Sequence, residues 1–480
     1  MMTGEQYRDS LRRLKLEVYY LGERVDSVVD HPALRPHVNS AAATYDLAHD
    51  PETEDLGTAK SHLSGERVNR FTHIHHSPDE LVKKVKMLRA LGQRTGTCFQ
   101  RCVGHDALNA LFSVTYDVDA QRGTGYHARF LEYLKYIQQN DLMIDGAMTD
   151  PKGDRSLSPG KQADPDLYLH IVERRPDGIV VRGAKAHQTG AVNSHEIIAM
   201  PTAAMGPDDA DYAVSFALPS DTPGLIYVFG RQSNDVRRLE EGDVDLGNAR
   251  FGIVGGEALV IFDDVFVPAQ RIFMCGEYDF AGSLVERFAS YHRQNYGGCK
   301  TGVADVLVGA CVAAADFQGT AKASHVRDKI TEMVHLAETL YCGSIACSLE
   351  SRRLAAGNYF VDPLLANTTK LNVTRFIYEI GRLAQDIAGG YIATTPSERD
   401  LRHPKIGPLV AKYMQGVAGV PAEHRIRIGR LIENMTGGTA LAEAMHGAGS
   451  PQAQRVMILR QANLEHKRRL ALRLAGIADQ

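Results

Sequence analysis

The sequence predicts an α+β protein that runs from helices to a β-domain and back to helices. Three observations predict it. A chain of 480 residues corresponds to about three domains. Its 44% hydrophobic and 23% charged content is that of a globular protein. The apolar pattern changes period twice, helix-like to about residue 140, strand-like over 166–268 and helix-like from 280 onward. The expected parts are an N-terminal helical domain over 1–140, a central β-barrel-like domain over 141–278 and a C-terminal helical bundle over 279–480. No internal repeat or low-complexity tract interrupts them.

In the first part, Ser77-Pro78-Asp79-Glu80 reads as a capping box with proline at the first helical position. It opens a helix through Leu81, Val82, Val85 and Leu88. A second helix is expected to carry Cys98 and Cys102 and to continue through Ala107, Leu108 and Leu111, with a further one at 130–137. In the second part, 167–172 and 179–182 flank Arg174-Arg175-Pro176-Asp177-Gly178 and read as a hairpin. Residues 197–200, 212–218, 225–229 and 258–262 read as further strands. In the third part Ser450-Pro451 marks a helix start, and one long helix with a basic face is expected to run from there towards Leu474.

The net charge is −4, from 54 basic and 58 acidic residues. With no basic block, the sequence gives no sign of nucleic-acid binding. The segment 1–24 is charged throughout and lacks a signal-peptide core. No run of 18 apolar residues is read, so no membrane partner is expected. Seven cysteines in such a chain argue for reduced thiols and a cytoplasmic location.

Two motifs carry the chemistry. Cys98-Phe99-Gln100-Arg101-Cys102 would place two thiols on one face of a helix. His292-Arg293-Gln294-Asn295-Tyr296-Gly297-Gly298-Cys299-Lys300 puts 292, 296, 299 and 300 on one helical face. Three thiols and an imidazole suit iron–sulfur or zinc. Spacing alone leans to core thiols, because free cysteine is among the most buried residue types. Cys311, Cys342 and Cys347 read as core residues on the same ground.

Tyr296 and Lys300 are titratable and lie on the ligand face. Glu257 follows Gly255-Gly256, and Glu443 precedes a glycine-rich segment. Each carboxylate reads as a candidate base or as a solvated surface group. No dinucleotide or P-loop fingerprint occurs, so a flavin would have to be held otherwise. Three segments offer themselves. The first is the loop 148–155, with Met148, Thr149, Lys152 and Arg155. The second is the turn 185–191, with Gln188 and Thr189. The third is 386–391, with Gly389 and Gly390. Each also reads as an ordinary loop.

Together these pieces resemble the 4-hydroxyphenylacetate 3-hydroxylase family, which has the acyl-CoA dehydrogenase architecture, and within it the dehydratase branch. The resemblance runs over nearly the whole chain and is strongest at Cys98-x-x-x-Cys102, 183–190, 292–300, 431–436 and 445–455. It implies FAD between the β-domain and the helices. It implies a [4Fe-4S] cluster on Cys98, Cys102, His292 and Cys299. It implies an active site with His292, Tyr296, Lys300, Glu257 and Glu443, and it places Gln100 and Thr189 beside the cluster and the flavin. A homotetramer is implied, with Gly389 and Gly390 meeting FAD across a subunit boundary. The implied reaction converts the acyl-CoA substrate 4-hydroxybutyryl-CoA to crotonyl-CoA by a flavin-mediated radical route, with the cluster as Lewis acid, and isomerises vinylacetyl-CoA. His292 or Glu443 would take the C2 proton. The rival enzyme on the same fold is an FADH2-dependent aromatic monooxygenase. A rival of another class is a non-catalytic metal-binding or redox-sensing protein.

Overall fold

The computed structural model describes residues 1–477 apart from Asn234 and Ile253. Its N-terminal helices are Gly4–Leu11, Arg35–Asp46, Pro78–Thr95, Cys102–Arg122 and Tyr126–Asn140. The Pro78–Thr95 helix starts where the sequence signals it, with the Ser77 hydroxyl accepting from the Glu80 amide. The reciprocal half of the box differs, because the Glu80 carboxylate accepts from the His76 amide instead. Gly96, at φ 63°, ends this helix in the left-handed conformation that glycine tolerates.

The strands form two main sheets. One has six strands in the order Glu23–Arg24, Glu17–Tyr20, Leu225–Phe229, Glu257–Pro268, Gly178–Thr189 and His170–Arg175. The other has four, Ile272–Cys275, Val214–Pro219, Glu196–Ala199 and Ile144–Ala147. The hairpin closes through Pro176 and Asp177, with Arg175 opposite Gly178. Side chains of both sheets and of the N-terminal helices share one core. The N-terminal part is not wholly helical, because Glu17–Tyr20 pairs in parallel with Leu225–Phe229, Glu17 opposite Ile226.

The C-terminal part is built on the 41-residue helix Tyr278–Gln318, packed with Ser324–Leu349 and Pro363–Ala388. A Cβ at Gly297 would run into Ser344 and the Leu340 carbonyl, and one at Gly298 into the Val85 carbonyl. These glycines therefore serve close helix packing, which answers their helix-propensity cost of about 1 kcal/mol each. The Tyr278–Gln318 helix contains an 18-residue window of mean hydropathy 1.4, apolar enough by length and composition to cross a membrane. That window was not recognised in the sequence. Here the helix packs among its neighbours and is largely buried. The expected single C-terminal helix is two, Pro451–Gln461 and Leu464–Leu474, broken at Asn463, whose φ is 44°. Cys311 and Cys347 are buried as expected, whereas Cys342 is exposed.

Candidate functional site

The site begins in the loop between Gly96 and Cys102. The second of the two helices starts at Cys102, so Cys98, Phe99 and Gln100 lie ahead of it. Two thiols on one helical face are therefore not what this motif provides. Gln100 has φ 68°, a conformation that costs a non-glycine residue on the order of 1–3 kcal/mol. Neighbours hold it there. Its Nε2 donates to the His37 carbonyl at 3.1 Å, and its Oε1 accepts from Asn193 Nδ2 at 2.5 Å. Next to it the buried Arg101 pairs with Asp141 at 2.7 Å and lies 3.9 Å from the centre of the Tyr45 ring.

The Tyr278–Gln318 helix presents His292, Tyr296 and Lys300 as the spacing predicts. Lys300 Nζ is ion-paired with Glu443, and the Tyr296 hydroxyl donates to the other Glu443 oxygen at 3.3 Å. Burial pulls the Lys300 ammonium down, but Glu443 and the nearby thiols outweigh it and hold Lys300 above its ordinary value. Burial also raises Tyr296, and Glu443 adds to that. Glu257, at the start of its strand, accepts from the Thr189 hydroxyl at 2.7 and 2.9 Å. Burial pushes Glu257 up to about 8 against the opposing Thr189 hydrogen bond. The site thus pairs a carboxylate bound to a cation with one that keeps its proton at neutral pH, the division of labour that acid–base chemistry needs.

Sequence reading missed two residues here. Asp106 is fully buried. It meets His292 Nδ1 at 2.8 Å, Lys84 Nζ at 2.6 Å and Asn295 Nδ2 at 2.6 Å. Burial pushes Asp106 up, but Lys84 and then His292 outweigh it and hold it below the usual carboxylate range. With its Nδ1 turned to a carboxylate, His292 leaves Nε2 as the ring nitrogen that Asp106 does not engage. Lys370 is also fully buried, 4.5 Å from the centre of the Tyr296 ring. Burial lowers it to about 7 against the pull of Glu443. A helical position four after Cys102 was the available signal for Asp106; nothing distinguished Lys370 from the other lysines.

The iron–sulfur expectation requires correction. Cys98 and Cys299 are near enough to Cys102 to raise its pKa, and Cys299 is near enough to raise that of Cys98. Among the described residues, however, no group of three or more His, Cys, Asp and Glu side chains is gathered so that it could hold a metal ion. Burial pushes all three thiols up, Cys299 to about 11. The donor set of Cys98, Cys102, His292 and Cys299 does not fit the [4Fe-4S] cluster. The radical route that used its iron as Lewis acid loses its ligands with it.

The expected flavin segments divide. The loop at 148–155 and the turn at 185–191 are joined, since the Thr149 carbonyl accepts from Gln188 Nε2 at 2.8 Å and from the Ala186 amide at 2.9 Å. The Met148 carbonyl accepts from Lys185 and Thr202. Lys152 and Arg155 are exposed beside this edge, each without a carboxylate ion pair among the described residues. Gln100 belongs to the same neighbourhood, its side chain lying close to Gly190, Gly255 and Gly256. Gly389 and Gly390 are not brought to the site within the chain. They follow the last turn of the Pro363–Ala388 helix, about 28 Å along it from Lys370 at 1.5 Å per residue.

One pH effect follows directly. A carboxyl group with a raised pKa binds its proton more tightly in the folded state. Its contribution to stability is therefore full at low pH and is lost as pH rises from the ordinary carboxylate range to about 8. Glu257→Gln should remove that loss, so its melting temperature should fall less than that of the unsubstituted protein between pH 5 and about 9. Parallel slopes in thermal scans would show that Glu257 is not held protonated.

A family model described as the 4-hydroxyphenylacetate 3-hydroxylase N terminal matches residues 3–274, and one for its C terminal matches residues 281–476. The chain is 59% identical to the 4-hydroxybutyryl-CoA dehydratase/vinylacetyl-CoA-Delta-isomerase of Clostridium aminobutyricum, covering 99% of this chain and 100% of that one. It is 28% identical to the 4-hydroxyphenylacetate 3-monooxygenase oxygenase component of Thermus thermophilus, covering 90% and 88%. Among solved structures, an oxygen-tolerant archaeal 4-hydroxybutyryl-CoA dehydratase from N. maritimus superposes with a TM-score of 0.97 at 54% identity, covering 100% of this chain and 95% of that one. An acyl-CoA dehydrogenase from Slackia heliotrinireducens superposes at 0.52 with 14% identity, covering 97% of each chain. That last likeness shows the α+β, acyl-CoA dehydrogenase-like fold alone.

Proposed function

The chain belongs to the 4-hydroxyphenylacetate 3-hydroxylase family, on its 4-hydroxybutyryl-CoA dehydratase/vinylacetyl-CoA isomerase branch, and from that premise we propose that it removes water from 4-hydroxybutyryl-CoA to give crotonyl-CoA and shifts the double bond of vinylacetyl-CoA. The observation that carries this reading is the half-buried pair of unlike carboxylates. Glu443 is bound by Lys300 and Tyr296, and Glu257 is held protonated against Thr189.

The chemistry asks for both. The thioester carbonyl makes the C2 proton removable, but the departing hydroxyl is on C4 and the C3 proton is not acidic. Glu443 or His292 Nε2 takes the C2 proton. Asp106 orients the imidazole, as hydrogen-bonded carboxylates do for catalytic histidines. Lys300 and Tyr296 stabilise charge near the leaving oxygen, and Glu257 gives it a proton or a hydrogen bond. The C3 proton passes to a base of the same set and a proton is returned to C4, so that one water is lost overall. Burial of His292, Tyr296, Lys300 and Asp106 limits competing water and strengthens their interactions.

The residues present fit FAD. Thr149, Gln188 and Thr189 offer hydroxyl and amide groups along one edge, with Met148 and Gln100 beside them. Lys152 and Arg155 offer cations to its phosphates. Bound FAD would supply a reversible electron acceptor for the activated carbon, giving back what it takes so that the dehydration stays redox-neutral. Gly389 and Gly390 would reach a neighbouring subunit's FAD in a homotetramer. We place this enzyme in the cytoplasm, with an acyl-CoA as its small-molecule partner and neither nucleic acid nor a membrane as partner.

The test is an anaerobic assay of 4-hydroxybutyryl-CoA with the purified protein, run beside flavin quantification. Crotonyl-CoA should form, with flavin bound to the protein. Hydroxylation of 4-hydroxyphenylacetate with reduced flavin and oxygen, and no turnover of the CoA ester, would overturn the reading in favour of the monooxygenase.

A further inference from the structure

We propose that Lys370 is a positioning residue that clamps the end of the Glu443-bearing helix onto Tyr296 and so fixes where the Glu443 carboxylate stands. As a statement about catalysis it rests on the function proposed above; as a statement about the helix it stands alone.

Glu443 is carried by the short helix Gly438–His446, in which Ala444 is the only buried residue among those described. Nine residues are too few to hold a helix by propensity alone, and one buried alanine anchors it weakly. Its last carbonyls need partners. Lys370, reaching across from the Pro363–Ala388 helix, donates to two of them, Ala444 O at 3.0 Å and Met445 O at 2.9 Å. Those are the two residues that follow Glu443. A cation at this end of a helix is also favoured by the helix dipole.

The same ammonium lies 4.5 Å from the centre of the Tyr296 ring, whereas Lys300 lies 5.6 Å away. The backbone leaves the helix at Gly447, where a Cβ would strike the Tyr296 hydroxyl. The helix end thus presses on the phenol that Glu443 accepts from, and Lys370 touches both bodies. Among the described residues Lys370 makes no ion pair within 4 Å, and two of its three donors go to these carbonyls. Lys300 neutralises the Glu443 carboxylate, and Lys370 holds the backbone beneath it.

The experiment has two readouts. The first is amide hydrogen exchange across 438–446, which reports the clamp whether or not the protein turns over substrate. Lys370→Met should speed exchange in that segment by about tenfold or more and leave the Pro78–Thr95 helix unchanged. The second is a double-mutant cycle on 4-hydroxybutyryl-CoA turnover. Lys370→Met alone should lower kcat by about 10–100-fold with little change in KM, and in the Glu443→Gln background it should add less than about twofold. A residue that merely supports the fold would multiply with Glu443→Gln. If the methionine variant does not fold, Lys370→Arg enters both measurements, and it should show local exchange close to the unsubstituted protein. Unchanged exchange in Lys370→Met, or effects that multiply, would overturn the clamp. An unsubstituted protein that leaves the CoA ester untouched while Lys370→Met still loosens 438–446 would overturn the proposed function and leave the clamp in place.

Discussion

Glu443→Gln is expected to slow dehydration of 4-hydroxybutyryl-CoA by about 10²–10³-fold, within the range that a positioned acid–base group contributes. Two partners converge on this one side chain. Its oxygens are taken by Lys300 and by the Tyr296 hydroxyl at 3.3 Å. Glutamine keeps the shape and one accepting oxygen but loses the charge. Lys300 then remains a buried ammonium without its counter-charge, and the proton acceptor is gone. Single-turnover kinetics with the CoA ester would measure this. Turnover within about threefold of the unsubstituted enzyme would remove Glu443 from the acid–base set and leave His292 as the base.

Asp106→Ala is expected to have the largest effect on stability, a loss of about 3–5 kcal/mol, because it strands a buried charge. Lys84 and Asp106 pair at 2.6 Å with about 1% of either side chain exposed. The same substitution removes the short partner of His292 Nδ1 and of Asn295 Nδ2, leaving them only their 3.5 Å contact with each other. Chemical denaturation would read the loss. The pH dependence has a defined sign. Asp106 is held below the ordinary carboxylate value by Lys84 and His292 against burial. Its contribution is therefore present above the unfolded carboxylate range, near pH 4, and is lost as pH falls through the folded value. The alanine variant should lack that acid-side loss. A denaturation midpoint that does not move would show that the pair is not what holds these helices together.

What could be read from the sequence depended on whether the deciding interactions were local. Ser77 and Pro78 set a helix start through atoms within three residues, and the helix begins there. The hairpin at Pro176-Asp177 and the strand Leu225–Phe229 were equally local. The motif at 98–102 failed as geometry because its helix begins only at Cys102. A glutamine in the left-handed region is stabilised by His37 and Asn193, neither of which is near in sequence. Asp106 went unread because its helix is buried on nearly every side from Cys102 to Thr115, so no polar face marked it. Lys370 went unread because its partners, Ala444 and Met445, accept through backbone carbonyls, which carry no side-chain signature. The pairing of Lys300 with Glu443 spans 143 positions, and only the family resemblance linked them.

The strand Glu17–Tyr20 has a consequence for how the protein is made. Its partner is Leu225–Phe229, with Glu17 opposite Ile226. On the ribosome the early strand must wait for about 200 residues of further synthesis, or roughly 10–40 s at 5–20 residues per second. During that interval Val18 and Tyr20, both buried in the finished sheet, are exposed to whatever binds nascent apolar chain. Slow elongation before residue 226 prolongs that exposure, and a fusion that hinders the first 20 residues deprives Leu225–Phe229 of a neighbour on one side, leaving an open edge for another chain to occupy.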